Sequence, residues 1–133
     1  MKPKRVLFVC IGNSCRSQMA EGLARKLGAG VLEAHSAGSK PQGSVNPTAI
    51  EVMRDRGVDI SKNASKGLKD VPQAGWDYVI TMGCGDACPF VPSKAKADWG
   101  IADPHGRPRE AFEKAADEIE AKVRTLLDDA QRA

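Results

Sequence analysis

The stretch Val6-Leu-Phe-Val-Cys10-Ile-Gly-Asn-Ser-Cys15-Arg-Ser17 decides how the rest of this chain is read. Four consecutive apolar residues, Val6 to Val9, are too short and too β-branched a run for a helix and predict a buried strand. After Cys10 come Gly12 and Asn13, residue types that tolerate positive φ, so the backbone can curl there. A curl of this kind turns successive N–H groups into one concavity, a nest for an oxyanion. From Ser17 the apolar period changes to Ala20, Leu23, Ala24 and Leu27, which predicts a helix. The positive end of its dipole then faces the same concavity.

Two reactive side chains flank that nest. Cys10 stands at its mouth and Arg16 closes it six residues later. A thiol held against a helix N-terminus and a guanidinium is expected to ionise below its free value of about 8.5. Arg16 presents a planar fork that matches two oxygens of a tetrahedral anion, and Ser17 is placed to hydrogen-bond the sulfur. The expected oxyanion-binding positions are therefore Gly12, Asn13, Ser14, Cys15, Arg16 and Ser17, with the Cys15 side chain itself packed as a small hydrophobe. Such a site lets a thiolate attack the central atom of a phosphate-like ion. The plainer competing explanation is a glycine-containing strand-to-helix turn with a buried cysteine and a surface arginine.

At 133 residues and 41% apolar content the chain can build one core, and residues 1–133 are expected to form a single domain. Aromatic residues make up only 5%, so aliphatic side chains must fill that core. The net charge of +3 is mild and its lysines and arginines are scattered, which argues against a nucleic-acid partner. The run after Met-Lys-Pro-Lys-Arg stops at Gly12, too short for a secretory leader, and nothing is long enough to span a membrane. A cytoplasmic protein is expected. In that compartment the four cysteines point to catalytic or metal chemistry rather than structural disulfides.

Strand and helix patterns alternate, which predicts a doubly wound α/β fold: a four-stranded parallel sheet with helices on both faces. The second strand is expected over 31–36, the third over 76–82 and a short fourth over 97–101. Asn46-Pro47 reads as a helix cap and first position, with that helix ending near Gly57. A last helix is expected from Arg109, with Phe112, Ala116, Ile119, Val123 and Leu126 as its apolar stripe. The stretch from Ser61 to Asp70 is polar and reads as loop with a short helix. In this class sites form beyond the carboxyl ends of strands, and Cys10, the run from Gly83 to Cys88, and Asp103 all follow strand ends.

Gly83-Cys-Gly-Asp-Ala-Cys-Pro89 is the second chemically loaded segment. Cys84 and Cys88 are four apart, so a helical turn brings their Cα atoms to about 6 Å, within disulfide range. Inert loop thiols are one alternative. Zinc held by Cys10, Cys15, Cys84 and Cys88 is another, but that set lacks tight Cys-x-x-Cys pairing and would neutralise the nest, so no metal is expected.

The ordered set of Cys10-Ile-Gly-Asn-Ser-Cys-Arg-Ser-Gln-Met-Ala-Glu21, Ser36-Ala37-Gly38, Asn46-Pro47, the run from Cys84 to Pro89, and Asp103-Pro104 spans nearly the whole chain. It resembles the low-molecular-weight protein tyrosine phosphatase family, of flavodoxin-like architecture, and within it the arsenate reductase branch. The resemblance implies Cys10, Arg16, Cys84, Cys88 and Asp103 as the catalytic set. Asp103 takes the position of a general acid for the leaving oxygen; a turn-capping Asp is the simpler alternative. It further implies a relay in which Cys84 attacks Cys10, expelling arsenite, and Cys88 then attacks Cys84, leaving a disulfide that a thioredoxin-like partner reduces. The last two thiols are spaced more closely than in many such members, which leaves their order of exchange open.

Coupling to a low-molecular-weight thiol, phosphomonoester hydrolysis, and a non-enzymatic oxyanion or redox module are the alternatives. No bound cofactor is implied beyond an external thiol reductant, with arsenate as substrate and phosphate or sulfate as its mimics. His105-Gly106 follows Asp103-Pro104 where phosphatases of this family usually place aromatics, which favours a small inorganic ion. In some relatives Asn13, Glu21 and Ser36 help bind potassium together with a loop carboxylate; Lys66 stands at about that place here.

Overall fold

Every residue from Val6 to Cys10 is buried. Alternate side chains of a strand point to opposite faces, so burial on both means that this strand, β1 (Lys4–Cys10), lies inside the sheet. The computed structural model describes residues 2–83 and 91–132. In it β1 pairs in parallel with β2 (Leu32–Gly38) on one side and with β3 (Trp76–Thr81) on the other. The edge strand β4 (Ser93–Asp98) adds to β3, again in parallel, giving the order β2-β1-β3-β4. The chain leaves β1 toward one edge and returns toward the other, so a crevice opens beyond the carboxyl ends of β1 and β3.

Three α-helices pack in one core against one face: α1 (Arg16–Leu27), α2 (Pro47–Asp55) and α3 (Arg109–Arg132). Val6, Phe8 and Ile80 meet Met19 and Leu23 of α1, Met53 of α2, and Phe112 and Ile119 of α3 there. Each such large side chain, fully buried, contributes roughly 1.5–3 kcal/mol. The second face carries a smaller cluster of Leu7, Val9, Ala37, Trp76 and Val79 beside Val71 and Leu68, the latter in the 3-10 turn Leu68–Asp70. The two expected layers are thus unequal, and among the described residues the second helical layer is that single short turn.

Local chemistry explains most boundaries. The Asn46 side chain accepts from Thr48 N–H at 2.8 Å and from Ala49 N–H at 3.3 Å, capping α2 with Pro47 at its first position. The expected stripe of α3 is buried throughout, and this helix starts at Arg109. The fourth strand departs from expectation. It runs from Ser93 to Asp98 and not over 97–101. Its Lys94-Ala-Lys-Ala composition suits an exposed edge, where pairing with β3 and not burial defines the strand. Ile101, at the end of the expected strand, is buried beyond the observed strand end. The second strand also runs two residues further than expected, to Gly38.

Candidate active site

Cys10 ends β1 and Arg16 begins α1, so the loop between them is anchored at both ends by regular structure. Of its two turn residues only Asn13 takes positive φ, at 46°; Gly12 does not. Asn13 holds this conformation because its side chain is tied on three sides. Its amide donates to Ser17 Oγ at 2.9 Å, and its Oδ1 accepts from Gln18 Nε2 at 2.9 Å and from Lys66 N–H at 2.7 Å. Gln18 is itself fully buried, donating to Ala64 O at 2.9 Å and accepting from Asn63 Nδ2 at 3.0 Å. The curled loop therefore hangs on a buried amide network rather than on the glycine.

Cys10 Sγ lies 2.8 Å from Ser17 Oγ and receives Asn13 N–H at 3.2 Å. No side chain caps the N-terminus of α1, so its first-turn N–H groups are left for a ligand. Arg16 is only 6% exposed. Its Nη1 donates to two main-chain carbonyls, Met82 O at 2.6 Å and Ile101 O at 2.9 Å. Those bonds use both Nη1 protons and leave Nη2 and Nε for an anion. Asp103 Oδ2 stands 3.8 Å from Nη2, while Asp103 Oδ1 accepts from His105 N–H at 3.0 Å, so the carboxylate also caps its own turn.

A cavity of about 20 Å³ lies between these groups, lined by Cys10, Gly12, Ser14, Cys15, Arg16, Gln42, Asp103 and His105. At that size it suits a small ion. Cys15 is 5% exposed and packs into the main core. Burial, with the nearby Asp103 carboxylate, pushes its thiol up to about 12.

The structure thus brings Cys10, Arg16, Ser17, Asp103 and the loop from Gly12 to Cys15 to one place. Cys84 and Cys88 lie outside the described residues. Glu21, 1% exposed, accepts the Ser36 hydroxyl. It also meets Arg25 at 2.7 Å and Lys66 Nζ at 3.7 Å, so two cations already face this carboxylate. Sequence reasoning passed over Gln18, Gln42 and the carbonyls of Met82 and Ile101. Only Gln18 left a trace, as a polar residue on the inward side of a helix; a carbonyl acceptor leaves none.

Residues 5–133 match the family described as low molecular weight phosphotyrosine protein phosphatase. The chain is 41% identical over 127 residues to an arsenate reductase of Staphylococcus aureus, covering 92% of this chain and 95% of that protein. Among solved structures it superposes on an arsenate reductase in the phosphate-binding state with a TM-score of 0.87 at 37% identity, covering 96% of this chain and 98% of that one. A thioredoxin-dependent arsenate reductase of Corynebacterium glutamicum gives a TM-score of 0.80 at 34% identity, with 98% of this chain and 63% of that one covered. A cysteine at the end of the first strand, a curled loop, a buried arginine and these matches along nearly the full length lead to one conclusion: the chain belongs to the low molecular weight phosphotyrosine protein phosphatase family.

Proposed function

We propose that this protein reduces arsenate to arsenite. The observation that carries the proposal is that Cys10 and the buried Arg16 line one small cavity with the loop between them, with Ser17 Oγ 2.8 Å from the Cys10 sulfur. Arsenate seats its oxygens on the loop N–H groups and on the free edge of the Arg16 guanidinium. Cys10 Sγ attacks arsenic and a hydroxide leaves, taking a proton from Asp103 to depart as water. The Cys84 thiolate then attacks Cys10 Sγ. The S–As bond breaks with its electron pair going to arsenic, so As(V) becomes As(III) and two thiols become one disulfide. Cys88 attacks Cys84, freeing Cys10, and a dithiol partner of the thioredoxin type reduces the Cys84–Cys88 disulfide.

The similarity to arsenate reductases, one of them thioredoxin-dependent, supports this reading. Among the described residues no helix is long and apolar enough to cross a membrane, which fits a reaction run in the reducing cytoplasm. The test is arsenate-dependent turnover with thioredoxin, comparing wild type with Cys10→Ser, Cys84→Ser and Cys88→Ser. Each substitution is expected to abolish turnover. Full activity of Cys88→Ser removes the third thiol from the relay, and activity of Cys84→Ser with a low-molecular-weight thiol moves the coupling to that reductant. Hydrolysis of aryl phosphate with no arsenate turnover makes the protein a phosphatase.

A further inference from the structure

Gly12 does not take the positive φ open to glycine, and the space its missing side chain leaves is filled by a neighbour. A Cβ at Gly12 would meet Cγ and Nε2 of Gln42 at 3.1 Å and Cδ at 3.2 Å, so the Gln42 side chain lies flat against the loop where a side chain would stand. Its main chain is held in place as well. Gln42 N–H donates to Gly12 O at 2.9 Å, Ser65 Oγ donates to the same oxygen at 3.1 Å, and Gly43 N–H donates to Ser65 Oγ at 3.2 Å. Gln42 lines the cavity that Cys10, Arg16 and Asp103 also line, and its side chain makes no hydrogen bond to the other described residues. A fixed backbone thus holds a solvent-exposed N–H donor at the rim of an anion pocket, where a bound ion would replace water on it.

We propose that Gln42 is a specificity-determining residue of this pocket: its carboxamide donates to an oxygen of the bound tetrahedral ion at the rim, and its bulk denies space to an ester substituent there. This rests on the reading that the pocket accepts arsenate. Arsenate and inorganic phosphate present a bare oxygen at the rim. A phosphomonoester presents a substituted oxygen, a poorer acceptor whose carbon must pass the Gln42 side chain.

Two substitutions separate donor from bulk. Gln42→Leu keeps the volume and removes the donor; Gln42→Ala removes both. Both are expected to weaken binding of inorganic phosphate, measured by calorimetry, by about five- to tenfold, the worth of one hydrogen bond. Arsenate KM rises by a similar factor while kcat stays within about twofold. Only Gln42→Ala is expected to raise kcat/KM for p-nitrophenyl phosphate, by about fivefold or more, since cutting back bulk opens the rim. Unchanged phosphate affinity in Gln42→Leu overturns the donor role. Ester hydrolysis falling in Gln42→Ala in step with arsenate turnover overturns the steric role and makes Gln42 a structural prop. Should the wild type bind phosphate but reduce no arsenate, the reductase reading fails, while the phosphate and ester measurements still decide the role of Gln42.

Discussion

Gly38, which carries no side chain to react, is predicted to be indispensable to catalysis. It pairs with Cys10 at the ends of β2 and β1. A Cβ built there lies 2.5 Å from Ile11 O and 2.8 Å from Asn13 N, both main-chain atoms of the oxyanion loop. Ordinary contact begins at 3.4 Å, so Gly38→Ala must open this gap by about 0.9 Å. The strand cannot supply that movement cheaply. Gly38 N–H is bonded to Lys66 O at 2.9 Å, Ser39 N–H to Cys10 O at 3.3 Å, and Lys40 N–H to Ile11 O at 2.8 Å. The loop yields instead, carrying the Asn13 N–H away from the Cys10 sulfur. Overpacking of this kind costs about 1–3 kcal/mol of stability, and a misplacement near 1 Å in the loop lowers kcat/KM by about 10²-fold. Gly22→Ala is the control. Its Cβ meets Ile60 Cγ2 at 2.7 Å and Val58 Cγ1 at 2.8 Å, a slightly smaller overlap, against side chains and away from the pocket. The helix propensity gained there offsets about 1 kcal/mol of the strain. Urea denaturation gives the folded fraction and arsenate turnover the activity per folded molecule. Gly38→Ala should be nearly inactive though folded, and Gly22→Ala fully active though less stable. Full turnover in folded Gly38→Ala, or equal inactivation by both, refutes the idea that strand β2 positions the loop.

Arg16→Lys is expected to lower kcat/KM by about 10²–10³-fold, because an ammonium cannot bridge the Met82 and Ile101 carbonyls while keeping two donors for the anion; a loss below tenfold would show that charge alone suffices. Cys15, with its folded value near 12, keeps its proton where the unfolded thiol, near 8.5, has lost it. Its contribution is therefore intact below about pH 8.5, and stability falls as pH rises from there toward 12, by at most ~1.4 kcal/mol per pH unit. Urea midpoints at pH 8 and pH 10 should converge for wild type and Cys15→Ala if this is right, and stay parallel if it is not. With Lys66 and Arg25 already facing Glu21, exchanging potassium for sodium is expected to leave Tm and turnover unchanged. A clear potassium-specific rise in Tm would show that Lys66 yields its place to the ion.

The sequence by itself determined the parts whose signals are local. The run Val6–Val9 read as a buried strand, Asn46-Pro47 read as a helix start, and a cysteine and an arginine flanking a turn pointed to an oxyanion-binding loop, because propensity, capping and period act over a few residues. What it left undecided depends on contacts between distant segments. The edge strand formed at Ser93–Asp98 because hydrogen bonds to β3, and not burial, hold it. Arg16 is aimed by carbonyls at Met82 and Ile101, which any residue type would supply. Gly38 is small because the loop backbone presses on it, a reason visible only once separate stretches of chain share the same few ångströms.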